Sequence, residues 1–227
     1  MTEGAFWCSY DESVSLLKEL GMLIEDNRHQ GMPYSPECKE YSRSNDYNEI
    51  YQNLIDHRDF DIQLFDDSFL QMSFSNGESR YMFIQNPQEY LPFEKFLEMN
   101  GLDKLQNPIE ELRGLFSEEY ENSQAMMKIN SGAVYMRYDM DQRGRMNNEN
   151  IHAYSHLHIG LNNEIRIPVG VQITPLAFTM FVVRHVYYDI WVYAVRNYKV
   201  DMSHKLKCEE LPSYLWTDAE KKMLFLA

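Results

Sequence analysis

The sequence has few of the features that mark secreted, disulfide-bonded or zinc-binding proteins. Its 227 residues include three cysteines, Cys8, Cys38 and Cys208, which lie far apart and form no C-x-x-C pair. This spacing argues against a disulfide framework or a zinc knuckle and favours a reducing compartment. The first residues contain neither a basic region nor an apolar run, so we expect no secretory signal and a soluble, cytoplasmic protein.

Several signatures of known enzyme classes are also missing from the sequence. It has no Walker loop, no G-x-G-x-x-G, no G-x-S-x-G and no cysteine-based catalytic motif. The most apolar stretch, residues 175–195, is interrupted by Arg184, His185 and Asp189, which are unfavourable in lipid. We therefore predict a long buried C-terminal helix there and no membrane partner.

Positive charge is scarce, and its distribution is uneven. The net charge is −14, and residues 1–125 hold 9 Lys and Arg against 25 Asp and Glu, whereas residues 126–227 hold 12 against 10. An acidic surface repels phosphate backbones, so we expect nucleic acid to bind, if at all, at a local site in the C-terminal part. With 44% hydrophobic residues and no internal repeat, residues 1–227 are predicted to form a single domain.

Hydrophobic periodicity predicts both helices and strands. Capping patterns at Ser9 and Asp46 precede two helical repeats, and two further helices are predicted in the middle of the chain. Period-two alternation predicts strands at 60–64, 70–74, 80–85, 134–141, 155–161 and 164–169. The Asn76-Gly77 pair predicts a tight hairpin turn. The expected fold is α+β, with mostly antiparallel sheet.

Two of these strands carry the polar side chains that are best suited to chemistry. The alternation places Arg137, Asp139 and Asp141 on one face of the first strand and His156 and His158 on one face of the second. If both strands turn their apolar faces toward the C-terminal helix, four of these side chains project from the same side of the sheet: Arg137, Asp139, His156 and His158. The same pattern is also typical of any sheet with one wet face, which needs no function.

Two kinds of chemistry fit this cluster. His156 and His158 could bind a divalent metal together with Asp139 or Asp141. Alternatively, a histidine acts as general base or acid while Arg137 stabilises negative charge, as phosphodiester cleavage requires. The spacing of these residues excludes neither kind of chemistry. A divalent metal is the one cofactor that the sequence suggests, and the cofactor is otherwise unknown.

Arg166 is a fifth candidate, and its side of the sheet depends on the preceding turn. A two-residue turn at Asn162-Asn163 would pair His158 with Ile167 and place Arg166 on the far face. A three-residue loop would reverse this outcome. Arg184, His185 and Asp189 are instead predicted to be structural, with His185 and Asp189 paired at i, i+4.

Three family resemblances bear on function. His156-x-His158 with Glu164 and Gly170 resembles part of a cupin metal motif, and His-Leu-His-Ile resembles the start of a histidine-triad strand. Arg137-x-Asp139, residues 154–160, Arg166-Ile-Pro168, residues 174–178 and the Arg184-x-x-Tyr187-Tyr188 helix together resemble an uncharacterised bacterial family, domain of unknown function 2290. The resemblance covers roughly residues 130–195. It implies a bacterial cytoplasmic protein encoded among phage-defence or toxin genes, and it implies no reaction.

These observations leave three functional hypotheses. The first is a nuclease-like or phosphodiesterase-like effector that uses Arg137, Asp139, His156, His158 and Arg166. The second is a non-catalytic acidic subunit that binds a basic protein partner from the same operon. The third is a cupin-like enzyme with a metal held by His156, His158 and Asp139.

Overall fold

The structure is a computed structural model that describes residues 1–28, 34–44, 46–130, 132–140, 153–161, 165–198, 208–216, 218 and 221. The chain divides into two compact units. Unit 1 comprises Met1–Gln85 and Val134–Ala227, and unit 2 comprises Asn86–Ala133. The expectation of a single domain stays a prediction.

The described residues contain eight helices and nine strands. The helices are α1 (Glu3–Glu19), α2 (Cys38–Tyr41), α3 (Tyr47–Asp56), α4 (Phe93–Met99), α5 (Ile109–Leu115), α6 (Ser117–Ala125), α7 (Pro175–Val186) and α8 (Tyr188–Tyr198). The strands are β1 (Leu23–Asp26), β2 (Ile62–Leu64), β3 (Phe69–Ser75), β4 (Glu78–Ile84), β5 (Tyr135–Met140), β6 (Ser155–Ile159), β7 (Ile165–Pro168), β8 (Val171–Gln172) and β9 (Glu209–Glu210).

Strands β1 to β7 form one antiparallel sheet in which each strand pairs with the next along the chain. Strands β8 and β9 form a separate pair. The predicted α+β class with antiparallel sheet is therefore confirmed. The β3–β4 hairpin closes through Asn76 and Gly77, both at positive φ, as the Asn-Gly signal predicts.

One face of the large sheet packs against α1 and α7. Apolar residues that alternate along the strands, including Met72, Tyr81 and Tyr138, share a buried cluster with Phe6 of α1 and Phe178 of α7. Burial of this apolar surface is the main favourable contribution to folding of the unit. The strands thus turn their apolar side toward α7. This orientation is the condition under which the sequence predicts that Arg137, Asp139, His156 and His158 share the opposite face.

The opposite face of the same sheet is covered only in part by helices. Phe69, Ile84 and Tyr135 form a second buried cluster with Ile50 and Leu54 of α3. Further along β3 to β7, this face carries polar and charged side chains instead. The candidate site lies there.

The first helix begins earlier than its capping pattern predicts. Thr2 is the N-cap, and its hydroxyl accepts a hydrogen bond from the backbone of Ala5. Ser9 lies within α1, where it is buried and accepts a hydrogen bond from the backbone of Leu176 at 3.0 Å. The predicted cap at Ser9 is therefore wrong, because its hydroxyl serves a contact between helices.

The long buried C-terminal helix predicted for residues 175–195 is not confirmed. The segment forms α7 and α8, which are separated at Tyr187 (φ −113°, ψ 52°). The Tyr187 hydroxyl donates to both carboxylate oxygens of the buried Asp66. His185 and Asp189 consequently lie on different helices, and both side chains are exposed.

Unit 2 contains three helices where the sequence predicts two. Its core consists of Leu91, Phe93, Phe96, Leu97 and Leu112.

Among the described residues of the whole chain, no helix combines the length and apolar character that crossing a bilayer requires.

Candidate functional site

The four residues of the predicted cluster lie side by side on β5 and β6. Arg137 pairs with His158 and Asp139 with His156 in the antiparallel register. Directly paired residues project from the same face of a sheet. The structure therefore brings together Arg137, Asp139, His156 and His158, whereas Asp141 lies outside the described residues.

Asp139 is the centre of this cluster. Its Oδ2 atom accepts a hydrogen bond from Nε of Arg137 at 2.7 Å and lies 3.3 Å from Nε2 of His158. Nε2 of His156 is 3.9 Å from the same oxygen. Arg137 Nη2 is also 3.3 Å from His158 Nε2, so the guanidinium spans the carboxylate and one imidazole.

The electrostatic surroundings keep Asp139 ionised. Burial by itself would raise the pKa of the Asp139 carboxyl. The hydrogen bond with His158 and the positive charges of Arg137 and His156 outweigh burial and lower this pKa to about 2. Near neutral pH, Asp139 is therefore a fixed negative charge rather than a proton donor.

The two histidines have different hydrogen-bond partners. His156 Nδ1 lies 2.9 Å from the carbonyl oxygen of Ala153, so in the neutral ring Nδ1–H donates and Nε2 is the basic nitrogen. His158 Nδ1 is buried and has no hydrogen-bond partner among the described residues. A buried polar atom of this kind lowers stability by about 1–3 kcal/mol, which favours a functional rather than a structural explanation.

The cluster is buried, but it lines a cavity. Asp139, His156 and His158 are 8%, 2% and 1% exposed. All three and Arg137 contribute to the wall of a cavity of about 730 Å³. The alternative of an ordinary wet sheet face does not describe this region, because such a face would leave the imidazoles exposed.

Arg166 belongs to the same face as the cluster. It pairs with His158 across β6 and β7, and it lines the cavity. The register predicted from a two-residue turn, His158 opposite Ile167, is therefore wrong. The observed pairing of Ile159 with Ile165 corresponds to an odd number of intervening residues.

Arg80 is a member of the site that the sequence analysis did not identify. It lies on β4 opposite Asp139, and its Nε is 3.8 Å from Asp139 Oδ1. The alternation along β4 indicates that Arg80 lies on the same face of the strand as Met82. The pairing of β4 with β5 could not be predicted from the sequence, because about fifty residues separate the two strands.

The roof of the cavity, Tyr34–Arg43, is a second part of the site that the sequence analysis missed. Asp59, which is fully buried, accepts hydrogen bonds from the backbone of Ser35 and the hydroxyl of Tyr41, both at 2.7 Å. The Tyr34 hydroxyl donates to Asp61 at 2.5 Å. Two buried carboxylates thus hold the roof against the sheet.

The cavity wall is strongly cationic for a chain of this composition. Five of the described residues that line it carry a permanent positive charge. Asp139 is the one carboxylate among the described lining residues. The five are Lys39, Arg43, Arg80, Arg137 and Arg166. Because the whole chain carries −14, this concentration of positive charge is unusual for the protein, and it makes the cavity electrostatically favourable for anions.

The spacing of the ligand atoms supports a metal site in this cluster, whereas the positive charge around it opposes one. Asp139, His156 and His158 offer ligand atoms that all lie within 4.8 Å of one another. However, the guanidinium of Arg137 already donates to the Asp139 oxygen that such an ion would share. The metal site stays a prediction, and the surrounding arginines disfavour a divalent cation.

Three further residues singled out in the sequence are not among those that line the cavity in the described part of the chain. Glu164, which the cupin-like pattern requires, is outside the described residues. Arg184 and His185 are exposed on α7, where the His185 ring packs against Phe181 at 4.4 Å between centroids. The predicted pair of His185 and Asp189 is not confirmed, because among the described residues no hydrogen bond joins these two exposed side chains.

The fold and the site together define an α+β protein with an antiparallel sheet, in which two buried histidines and a buried aspartate adjoin a half-buried arginine at the wall of a cationic cavity. The chain belongs to the family described as Uncharacterized conserved protein (DUF2290), whose model matches residues 24–226. This match confirms the resemblance and extends it well beyond residues 130–195. No curated protein and no solved structure matches the chain significantly.

Proposed function

We propose that this protein is a phosphodiesterase-like hydrolase that acts on a nucleotide-sized substrate. The observation that carries the proposal is the contact cluster of Arg137, Asp139, His156 and His158 at the wall of a cationic cavity. Anionic phosphoryl oxygens fit such a cavity, and paired imidazoles can transfer protons near neutral pH. The cavity volume, about 730 Å³, lies in the range of small-molecule sites.

In the proposed reaction, the guanidinium of Arg137 binds a non-bridging oxygen of the phosphodiester. Neutral His156 removes a proton from a water molecule through Nε2, and the water oxygen forms a bond to phosphorus. The bridging P–O bond breaks, and protonated His158 donates its proton to the leaving oxygen. Asp139 stabilises the positive charge of both imidazoles and orients Arg137.

The charge of the whole chain bears on the size of the substrate. Residues 1–125 carry a net charge of −16, which repels a long phosphate backbone. A short nucleotide inside a cationic cavity avoids most of this repulsion. We therefore favour a nucleotide over polymeric nucleic acid, and a role as a bacterial defence- or toxin-associated effector follows as a hypothesis from the family resemblance.

The proposal is tested with a chromogenic phosphodiester and a dinucleotide as substrates. We expect His156→Gln and His158→Gln each to lower kcat by about 100-fold or more, because each removes one proton-transfer group. His185→Gln, at an exposed histidine of α7, is the matched control. Thermal unfolding of each variant shows whether the fold is retained, and full activity of a folded His158→Gln variant would contradict the proposal.

A second candidate function is that of an acidic, non-catalytic subunit. Unit 2 exposes six large apolar side chains, and the chain region that contains it is acidic. The exposed residues are Met99, Leu105, Ile109, Leu115, Met126 and Ile129. A surface of this kind suits a protein partner. A complex with a protein of the same operon that survives high salt would favour this function, and an active isolated monomer would argue against it.

A further inference from the structure

Four exposed cations surround the buried cluster, and we call them the cationic rim: Lys39, Arg43, Arg80 and Arg166. Lys39 and Arg43 belong to the roof, whereas Arg80 and Arg166 lie on β4 and β7 of the sheet. These two strands flank the β5–β6 pair that carries the cluster. The rim therefore approaches the cavity from both the roof and the sheet.

The rim carries more positive charge than the cluster can balance. Asp139 is the one carboxylate among the described lining residues, and it already contacts Arg137 at 2.7 Å and Arg80 of the rim at 3.8 Å, so the excess positive charge lies on Lys39, Arg43 and Arg166. A phosphodiester bound at Arg137 contributes a single negative charge. The rim would still hold an excess of positive charge around such a ligand, so a ligand with a further phosphate complements this cavity better.

We propose that the cationic rim is a second phosphate subsite, so that the substrate is a small nucleotide with a terminal phosphate in addition to its phosphodiester. This inference rests on the proposed function, because the cluster is taken to bind the diester. The cavity of about 730 Å³ has space for a dinucleotide, and lysine and arginine are the side chains best suited to a terminal phosphate. A 5′-phosphorylated dinucleotide is the simplest ligand of this class.

The test compares two substrates that differ by one phosphate group. The probes are the dinucleoside monophosphate ApA and its 5′-phosphorylated form pApA. We expect kcat/KM of the natural chain to be higher for pApA than for ApA by about tenfold to a hundredfold, the effect of one or two charge-assisted hydrogen bonds. Equal values of kcat/KM for the two substrates would overturn the subsite.

Rim variants assign the preference to these side chains. The double substitution Lys39→Ala with Arg43→Ala is expected to reduce the ratio of the two kcat/KM values to about one, because the terminal phosphate loses its partners. The control is Lys18→Ala with Arg196→Ala, which removes the same charge from exposed positions of α1 and α8. A preference that persists in the rim variant would contradict the proposal.

Binding measurements separate the failure of this inference from failure of the proposed function. If the natural chain cleaves neither dinucleotide, hydrolysis of these substrates is excluded, and the subsite is judged by calorimetric titration instead. Tighter binding of pApA than of ApA, lost in the rim variant but kept in the control, would support the subsite without catalysis. Equal or undetectable binding of both dinucleotides would overturn it.

Discussion

Asp139 and His158 lie on neighbouring antiparallel strands, and Oδ2 of the carboxylate is 3.3 Å from Nε2 of the imidazole. Together with Arg137, this contact keeps a buried carboxylate ionised at a pH far below neutrality. The same contact links the proposed catalysis to stability, because the charge that orients the proposed acid also contributes to the free energy of unfolding.

The first prediction concerns the dependence of stability on pH. The pKa of Asp139 is lowered to about 2, so its contribution is present above the pKa of the unfolded chain and is lost as the pH falls from about 4 toward 2. The loss should amount to about 2 kcal/mol in the free energy of unfolding. Urea unfolding at several pH values measures it.

The variant that isolates this contribution is Asp139→Asn. The difference in unfolding free energy between Asp139→Asn and the natural chain should shrink as the pH falls toward 2. The same exchange at Asp103, which is exposed in unit 2, is the control. A difference that stays constant over this range would show that Asp139 is not stabilised as a carboxylate.

The second prediction concerns the roof of the cavity. Asp59→Ala removes the acceptor for the Ser35 backbone and for the Tyr41 hydroxyl, which should destabilise the roof by about 1–3 kcal/mol. Hydrogen exchange in residues 34–44 should become faster, and pApA should bind more weakly. Asp56→Ala, at an exposed position of α3, should have neither effect. Unchanged exchange in the roof would contradict this role of Asp59.

The third prediction concerns the break between α7 and α8. Tyr187→Phe leaves the buried Asp66 without the hydroxyl that donates to both of its oxygens. We expect a loss of about 1–3 kcal/mol in unfolding free energy and little change in the activity of folded protein, because Tyr187 packs on the other face of the sheet. Tyr188→Phe, an exposed neighbour, is the control. A selective loss of kcat would contradict a purely structural role.

Much of the fold was predictable because the signals that specify it are local. Period-two alternation identifies the strands from the side chains alone, and Asn76-Gly77 determines the hairpin because few other pairs tolerate positive φ at both positions. The interruption at Tyr187 was not predictable in this way. It accompanies a contact with Asp66, which lies 121 residues away in the chain.

The site shows the same division between local and distant signals. Arg137 and Asp139 share a face because they are two residues apart, and His156 and His158 do so for the same reason. The side occupied by Arg166 depends on the parity of the preceding turn, which sequence alone left open. Arg80 and the roof reach the site through strand pairing and buried carboxylates across long stretches of chain, so no short pattern reveals them.

The last prediction distinguishes proton-transfer chemistry from metal chemistry at the cluster. Arg137 donates to the Asp139 oxygen that a metal would need, and the cavity wall carries five permanent positive charges, so a bound divalent cation would be repelled. We expect the purified protein to contain less than stoichiometric metal by elemental analysis and to keep the proposed phosphodiesterase activity after treatment with a chelator. Arg137→Gln should then lower activity, because the phosphoryl oxygen loses its cation. If chelation instead abolishes activity and zinc or manganese restores it, Asp139, His156 and His158 act as metal ligands, and the metal-enzyme hypothesis replaces the one favoured here.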